Sequence, residues 1–132
     1  MDEIHLEGFK ANEGTSLSNI TQAEQMLHYA IPEDYRKFLE TYNGGEGFIG
    51  EIYVILWRCE ELPNFNQQYE VADYADGLLL IGSNGGGEAI AYDMRHSPPE
   101  IVEIPFVGMD LQYARLVAHN FTEFINPPIQ KP

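Results

Sequence analysis

Basic residues are scarce in this chain. Lys and Arg together number 7 against 21 Asp and Glu, which leaves a formal charge of −14 over 132 residues. Nucleic acid is a polyanion and repels such a surface, so no nucleic-acid partner is expected. Cysteine is scarcer still. Cys59 stands alone, so no intrachain disulfide can form and no oxidising compartment is required. Arg58 precedes it, and Glu60 and Glu61 follow it. Two flanking acids disfavour a thiolate, and Cys59 reads as an inert, buried thiol. Long apolar runs are missing too. No stretch approaches the ~20 apolar residues that span a bilayer, so no membrane partner is expected. The opening MDEIHLEGFK carries acids where a signal peptide needs bases. The expected home is the cytoplasm, as a soluble protein.

Catalytic and metal-binding signatures are equally thin. His5, His28, His96 and His119 form no HxH or HExxH pair, and none neighbours the cysteine in sequence. No metal site is expected from that spacing. The glycine-rich GSNGGGE, Gly82 to Glu88, lacks the Lys-Ser/Thr that closes a phosphate-binding loop. A strand follows it where a helix N-terminus is needed, and its last residue is an acid. It reads as a tight β turn whose glycines supply positive φ angles, and no cofactor is expected. Ser83 and Ser97 lack a nucleophile elbow. Glu88 and Asp93 lie five residues apart on an expected strand, so alternation sends them to opposite faces. They make a poor acid–base pair. Asp93, beside a turn, reads instead as an acceptor for loop amides.

Apolar residues make up 44% of the chain and aromatics 12%, enough to reject disorder and fill one core. Thr21 with Glu24 reads as a capping box opening a helix from about Gln22 to Tyr29, with Ala23, Met26, Leu27 and Ala30 facing inward. Pro32 opens a second helix, and Glu33 and Asp34 place charge at its positive end. Tyr35, Phe38, Leu39 and Tyr42 form one apolar stripe, stopped by Asn43-Gly44-Gly45. Ile52 to Trp57 reads as a buried strand. Cys59 to Tyr69 reads as a short helix interrupted by Pro63. Leu78 to Ile81 and Ala89 to Tyr92 read as two strands of an antiparallel hairpin, and Ile101 to Phe106 as a fourth strand. Ala114 to Ile125 has a helical pattern, ended by Pro127-Pro128, and the final NPPIQKP reads as a frayed end. Helices, then strands, then a helix make an α+β domain with a mostly antiparallel sheet.

The acid excess is concentrated. Between Phe38 and Met94 lie Glu40, Glu46, Glu51, Glu60, Glu61, Glu70, Asp73, Asp76, Glu88 and Asp93, against Arg58 alone. Such a region is either a solvated face or a docking surface for a basic protein. The candidate contacts are Glu46, Glu51, Glu60, Glu61, Glu70, Asp73 and Asp76. Trp57 joins them, because it ends a strand and can reach the rim.

Several segments, in order, resemble the SUKH superfamily, which includes bacterial immunity proteins and fungal cell-wall regulators. IPEDYRKFLETYNGG, residues 31 to 45, is similar to that family's proline-opened helix ending in asparagine and glycines. IYVILW, residues 52 to 57, follows as a strand. EELPNFNQQY, residues 60 to 69, places Asn66 shortly before the aromatic Tyr69. LLLIGSNGGGEAIAYD, residues 78 to 93, resembles the strand, glycine turn and strand ending in aspartate. VAHNFTEFI, residues 117 to 125, resembles the closing helix. The likeness covers about residues 20 to 126, and EGFKANEGTSLSN departs from it.

The resemblance implies one SUKH-like domain over residues 1–132, with an antiparallel sheet flanked by helices. It also implies a non-catalytic role: an immunity protein that neutralises a toxin, often a nuclease and therefore basic. Two alternatives are a regulatory scaffold that binds endogenous proteins, as in the fungal members, and a small hydrolase built on Asp93 or Glu88.

Overall fold

The computed structural model describes residues 8–126. His5 and the expected helix stop at Pro127-Pro128 lie outside them. Seven strands form one sheet in the order of the chain, each antiparallel to the next. They are β1 (Phe9–Ala11), β2 (Gly45–Ile49), β3 (Ile52–Leu56), β4 (Leu78–Ser83), β5 (Glu88–Asp93), β6 (Glu100–Pro105) and β7 (Arg115–Ala118). The β1–β2 connection carries α1 (Leu17–Leu27) and α2 (Glu33–Thr41). The β3–β4 connection carries a 3-10 turn (Cys59–Glu61), α3 (Leu62–Gln68) and α4 (Val71–Tyr74). A second 3-10 turn (Leu111–Tyr113) precedes β7, and α5 (Phe121–Ile125) closes the described chain. The expected α+β fold is the observed one.

Directly opposed residues share a sheet face. Leu79, Tyr92, Ile101 and Ala118 therefore form one row across β4 to β7, and all four are buried. A second row, Ala11-Gly45-Leu56-Gly82-Ile90-Glu103-Arg115, crosses all seven strands. Gly82 has to be glycine in that row, because a Cβ there would meet the Ile55 carbonyl oxygen at 2.1 Å. The β4–β5 hairpin turns as expected. The Asn84 side chain accepts from the Gly86 and Glu88 amides, and Gly85 and Gly87 take φ of +77° and +97°.

Rings lock the helices to the sheet. Phe121 of α5 lies 4.9 Å from Tyr35 and 4.7 Å from Phe38 of α2, and Tyr35 lies 5.9 Å from Tyr92 of β5. Asp34 does more than complement a helix dipole. Its carboxylate accepts from the Tyr92 hydroxyl at 3.0 Å and the Phe121 amide at 2.8 Å, tying α2 to β5 and α5. Two asparagine side chains accept from buried backbone amides. β3 pairs with β4 only at Ser83 and Gly82, so the outer edge of Leu80 is unpaired by strand. Asn66 of α3 fills that edge, donating to the Leu80 carbonyl at 3.0 Å and accepting from its amide at 2.9 Å. Asn43 accepts from the Cys59 amide at 2.8 Å and donates to Glu60 at 2.9 Å.

Four sequence expectations are corrected. The first helix begins at Leu17, and its N-cap is Ser16, whose hydroxyl accepts from the Asn19 amide. Thr21 and Glu24 are not its capping box. Glu24 instead accepts from the Ile31 amide at 2.7 Å and so fastens the α1–α2 connection. The buried residues are Ile20 and Ala23; Met26 is 63% exposed and Ala30 is exposed. The expected helix from Ala114 to Ile125 is a strand followed by a short helix. Arg115 to Ala118 satisfy the open edge of β6, and Asn120 then caps α5 through the Glu123 amide. Short apolar runs fit both periods, and the available edge decided this one. Finally, Gly45–Ile49 is a strand, not only a helix terminator. Pro63 opens α3 and does not interrupt it.

Candidate protein-docking surface

Four aromatic rings meet where β3, α3 and β6 end. Trp57 directly follows β3 and is held by its amide, which donates to the Ile81 carbonyl at 3.0 Å. The 3-10 turn reverses the chain, and α3 then presents Phe65 and Tyr69 four residues apart, on one side of the helix. Phe106 directly follows β6. Trp57 stacks on Phe65 at 4.2 Å between ring centres, and Tyr69 packs on Phe106 at 4.6 Å. Trp57 and Tyr69 lie nearly parallel at 6.5 Å, so the rings form one continuous floor.

A groove opens at each end of this floor. The first, about 680 Å3, is lined by Lys10, Glu46, Tyr53, Trp57, Arg58, Glu61 and Phe65, among others. Here the Tyr53 hydroxyl donates to Glu46, and that bond, with the nearby carboxylate charge, raises the Tyr53 pKa. Glu61 accepts from the Arg58 amide at 2.9 Å, which closes the 3-10 turn. The second groove, about 630 Å3, is lined by Tyr69, Glu70, Tyr74, Phe106, Asp110 and Tyr113, with several smaller contributors. Glu70 adopts φ +53° and ψ +45°, a left-handed conformation that costs a non-glycine residue roughly 1 kcal/mol.

The structure thus places Glu46, Trp57 and Glu61 on the first groove and Glu70 on the second, one groove at each end of the aromatic floor. Trp57 is only 8% exposed, so it floors the groove and does not project at its rim. The other expected contacts lie elsewhere. Glu51 is at the β2–β3 turn and Asp73 is exposed on α4. Asp76 lines a cleft of about 400 Å3 with Met26, Leu27 and Val71. Glu60 lines a hollow beside α1, and its hydrogen bond from Asn43 holds its carboxyl below the usual range. Sequence reasoning missed Tyr74, Phe106, Asp110 and Tyr113. For Phe106, Asp110 and Tyr113 the only signal was an aromatic at each end of the unassigned VGMDLQ segment; Tyr74 had none.

Other chemistry-bearing residues do not converge. Glu88 and Asp93 sit at opposite ends of β5. Asp93 accepts from the Arg95 amide at 3.1 Å, as expected of a turn acceptor, and from its guanidinium at 2.9 Å twice. Those bonds hold the Asp93 carboxyl below its usual range. Glu103 is buried against Arg115; burial and the nearby Glu88 push its pKa up. Cys59 is buried, and its thiol is pushed up to about 11 by burial and by Glu60 and Glu24. Among the described residues, no three His, Cys, Asp or Glu side chains group to hold a metal ion. No helix of the described residues is long and apolar enough to cross a membrane.

A seven-stranded antiparallel meander with helices inserted after β1 and β3, and with the Asn66 side chain completing the open edge of β4, defines the class of the molecule. The sequence profile of the SMI1 / KNR4 family (SUKH-1) matches residues 14–126, and the chain belongs to that family. The match reaches into the N-terminal stretch that the resemblance had left unplaced. The chain is also 26% identical over 139 residues to "Uncharacterized protein YnaB" of Bacillus subtilis (strain 168), an alignment covering 93% of this chain and 92% of that protein. The family is generally non-catalytic, and membership supports a toxin-immunity or regulatory role in general terms.

Proposed function

We propose that this protein is a cytoplasmic immunity protein that binds and neutralises a basic, nuclease-type toxin domain. The observation that carries the reading is the aromatic floor with Glu46 and Glu61 in the groove at one end and Glu70 in the groove at the other, on a chain of charge −14. Aromatic rings supply contact area at low entropic cost, and carboxylates steer a basic partner into register. Binding would cover the toxin's substrate groove or a neighbouring exosite, with no chemistry performed by the immunity protein.

The test is co-expression with the toxin domain encoded beside this gene in its source genome. The expected result is restored growth, with loss of toxin activity at equimolar ratio in a purified mixture. Association should slow as salt rises, and slow further on combined charge reversal of Glu46, Glu61 and Glu70 to Lys. A neighbouring toxin domain that stays fully active in excess of this protein would refute the reading. Stable binding to an endogenous protein in its place would favour the regulatory alternative.

A further inference from the structure

The two grooves differ in one respect that decides what each can hold. In the first, Lys10 and Arg58 stand among the lining residues and offset Glu46 and Glu61. In the second, Glu70 and Asp110 are lining residues and no Lys, Arg or His joins them. Among the described residues the Glu70 side chain takes no hydrogen bond or ion pair, and Asp110 spends one oxygen on the Gln112 amide at 3.0 Å. Carboxylate oxygens therefore remain to receive donors. Four rings line the same space. Tyr69 and Phe106 pack against each other as its floor, whereas Tyr74 and Tyr113 are 57% and 58% exposed. Val107, next to Phe106 in the chain, is 92% exposed. Exposed apolar side chains beside an open groove mark a surface that another molecule covers.

Resting on the protein-binding reading above, we propose that this second groove receives an arginine side chain projecting from the protein partner. A guanidinium is planar, carries donors along its edge and is weakly hydrated. It can lie on a ring face, where the quadrupole is negative, while its N–H groups reach Glu70 and Asp110. A lysine ammonium satisfies the charge but not the stacking, and holds its water more tightly. The site is an anchor point within the interface, with Tyr74 and Tyr113 excluding water around it.

The experiment uses two probes, acetyl-Gly-Arg-Gly-amide and acetyl-Gly-Lys-Gly-amide, titrated into the full chain at about 150 mM salt, where diffuse attraction is screened. Aromatic and backbone NMR shifts are followed. The expected result is saturable shifts at Tyr69, Tyr74, Phe106 and Tyr113, with the arginine peptide binding roughly two- to fivefold more tightly. Tyr74→Ser with Tyr113→Ser should abolish the difference. Asp110→Asn, at an exposed position, should weaken both peptides, and it serves alone if the double variant does not fold. Equal binding of the two peptides, shifts spread over the first groove and beyond, or tight arginine binding retained in the variants would overturn the proposal. Toxin neutralisation that survives Tyr74→Ser and Tyr113→Ser unchanged would remove the arginine site and leave the immunity reading standing. Arginine-selective binding without neutralisation would do the reverse.

Discussion

Removing the Asn66 side chain tests how a helix completes a sheet edge. Its amide donates to the Leu62 and Leu80 carbonyls at 2.9 and 3.0 Å and accepts from the Leu80 amide at 2.9 Å. Leu80 is fully buried, so Asn66→Ala leaves its amide and carbonyl without a protein partner. Each such orphan costs about 1–3 kcal/mol. Asn66 itself is only half-buried, so partial hydration limits the total to about 2–3 kcal/mol. For a chain of this length that is a fall of roughly 6–15 °C in Tm. Asn66→Asp separates donor from acceptor. Its carboxylate still receives the Leu80 amide but faces the Leu80 carbonyl with no proton to give. It should be as unstable as the alanine variant at neutral pH and recover in acid, where the protonated carboxyl donates again. Urea unfolding followed by the fluorescence of Trp57, the sole tryptophan, measures both. A loss under about 1 kcal/mol for the alanine variant, or full stability of Asn66→Asp at neutral pH, would refute the account.

Three further outcomes follow from the titratable groups. The Asp93 carboxyl is held low by Arg95, so its contribution is present above the ordinary aspartate range and lost as pH falls through the lowered value. Asp93→Asn should therefore cost about 1.5 kcal/mol at neutral pH and progressively less below about pH 4, read by unfolding across pH. Glu103 has the opposite sign. Burial raises its pKa, so the folded state favours the neutral acid and loses stability as pH climbs from the ordinary glutamate range through the raised value. The stability of Glu103→Gln relative to the native protein should rise between about pH 4 and pH 7; a constant difference contradicts the burial argument. With its thiol pushed up to about 11, Cys59 should react with iodoacetamide at pH 8 at least about a hundredfold more slowly in the folded protein than in urea. Equal rates would show an open site.

The α2 stripe was legible because its partners are local in sequence. Pro32, Tyr35, Phe38 and Leu39 specify a helix and its inward face with no reference to the rest of the chain. The same holds for the β4–β5 hairpin, whose Asn84 and glycines carry the turn geometry themselves. The segment from Ala114 onward was misread because Arg115–Ala118 pairs with β6, and nothing within four residues announces an open edge. The aromatic floor and its two grooves were half legible. Its acids could be counted along the chain, but Phe106 and Tyr69 are far apart in sequence and become neighbours only through packing.

By itself, the sequence determined the net charge, the amphipathic α2 helix, the strand runs of β3 to β6 and the absence of recognised catalytic motifs, since each depends on residue type and short spacing. Only tertiary structure decided that Asp34 would bind α5, that Asn66 would stand in for a strand, and which carboxylates share a groove. Those choices depend on contacts between distant segments, where geometry selects one partner among many of equal chemistry.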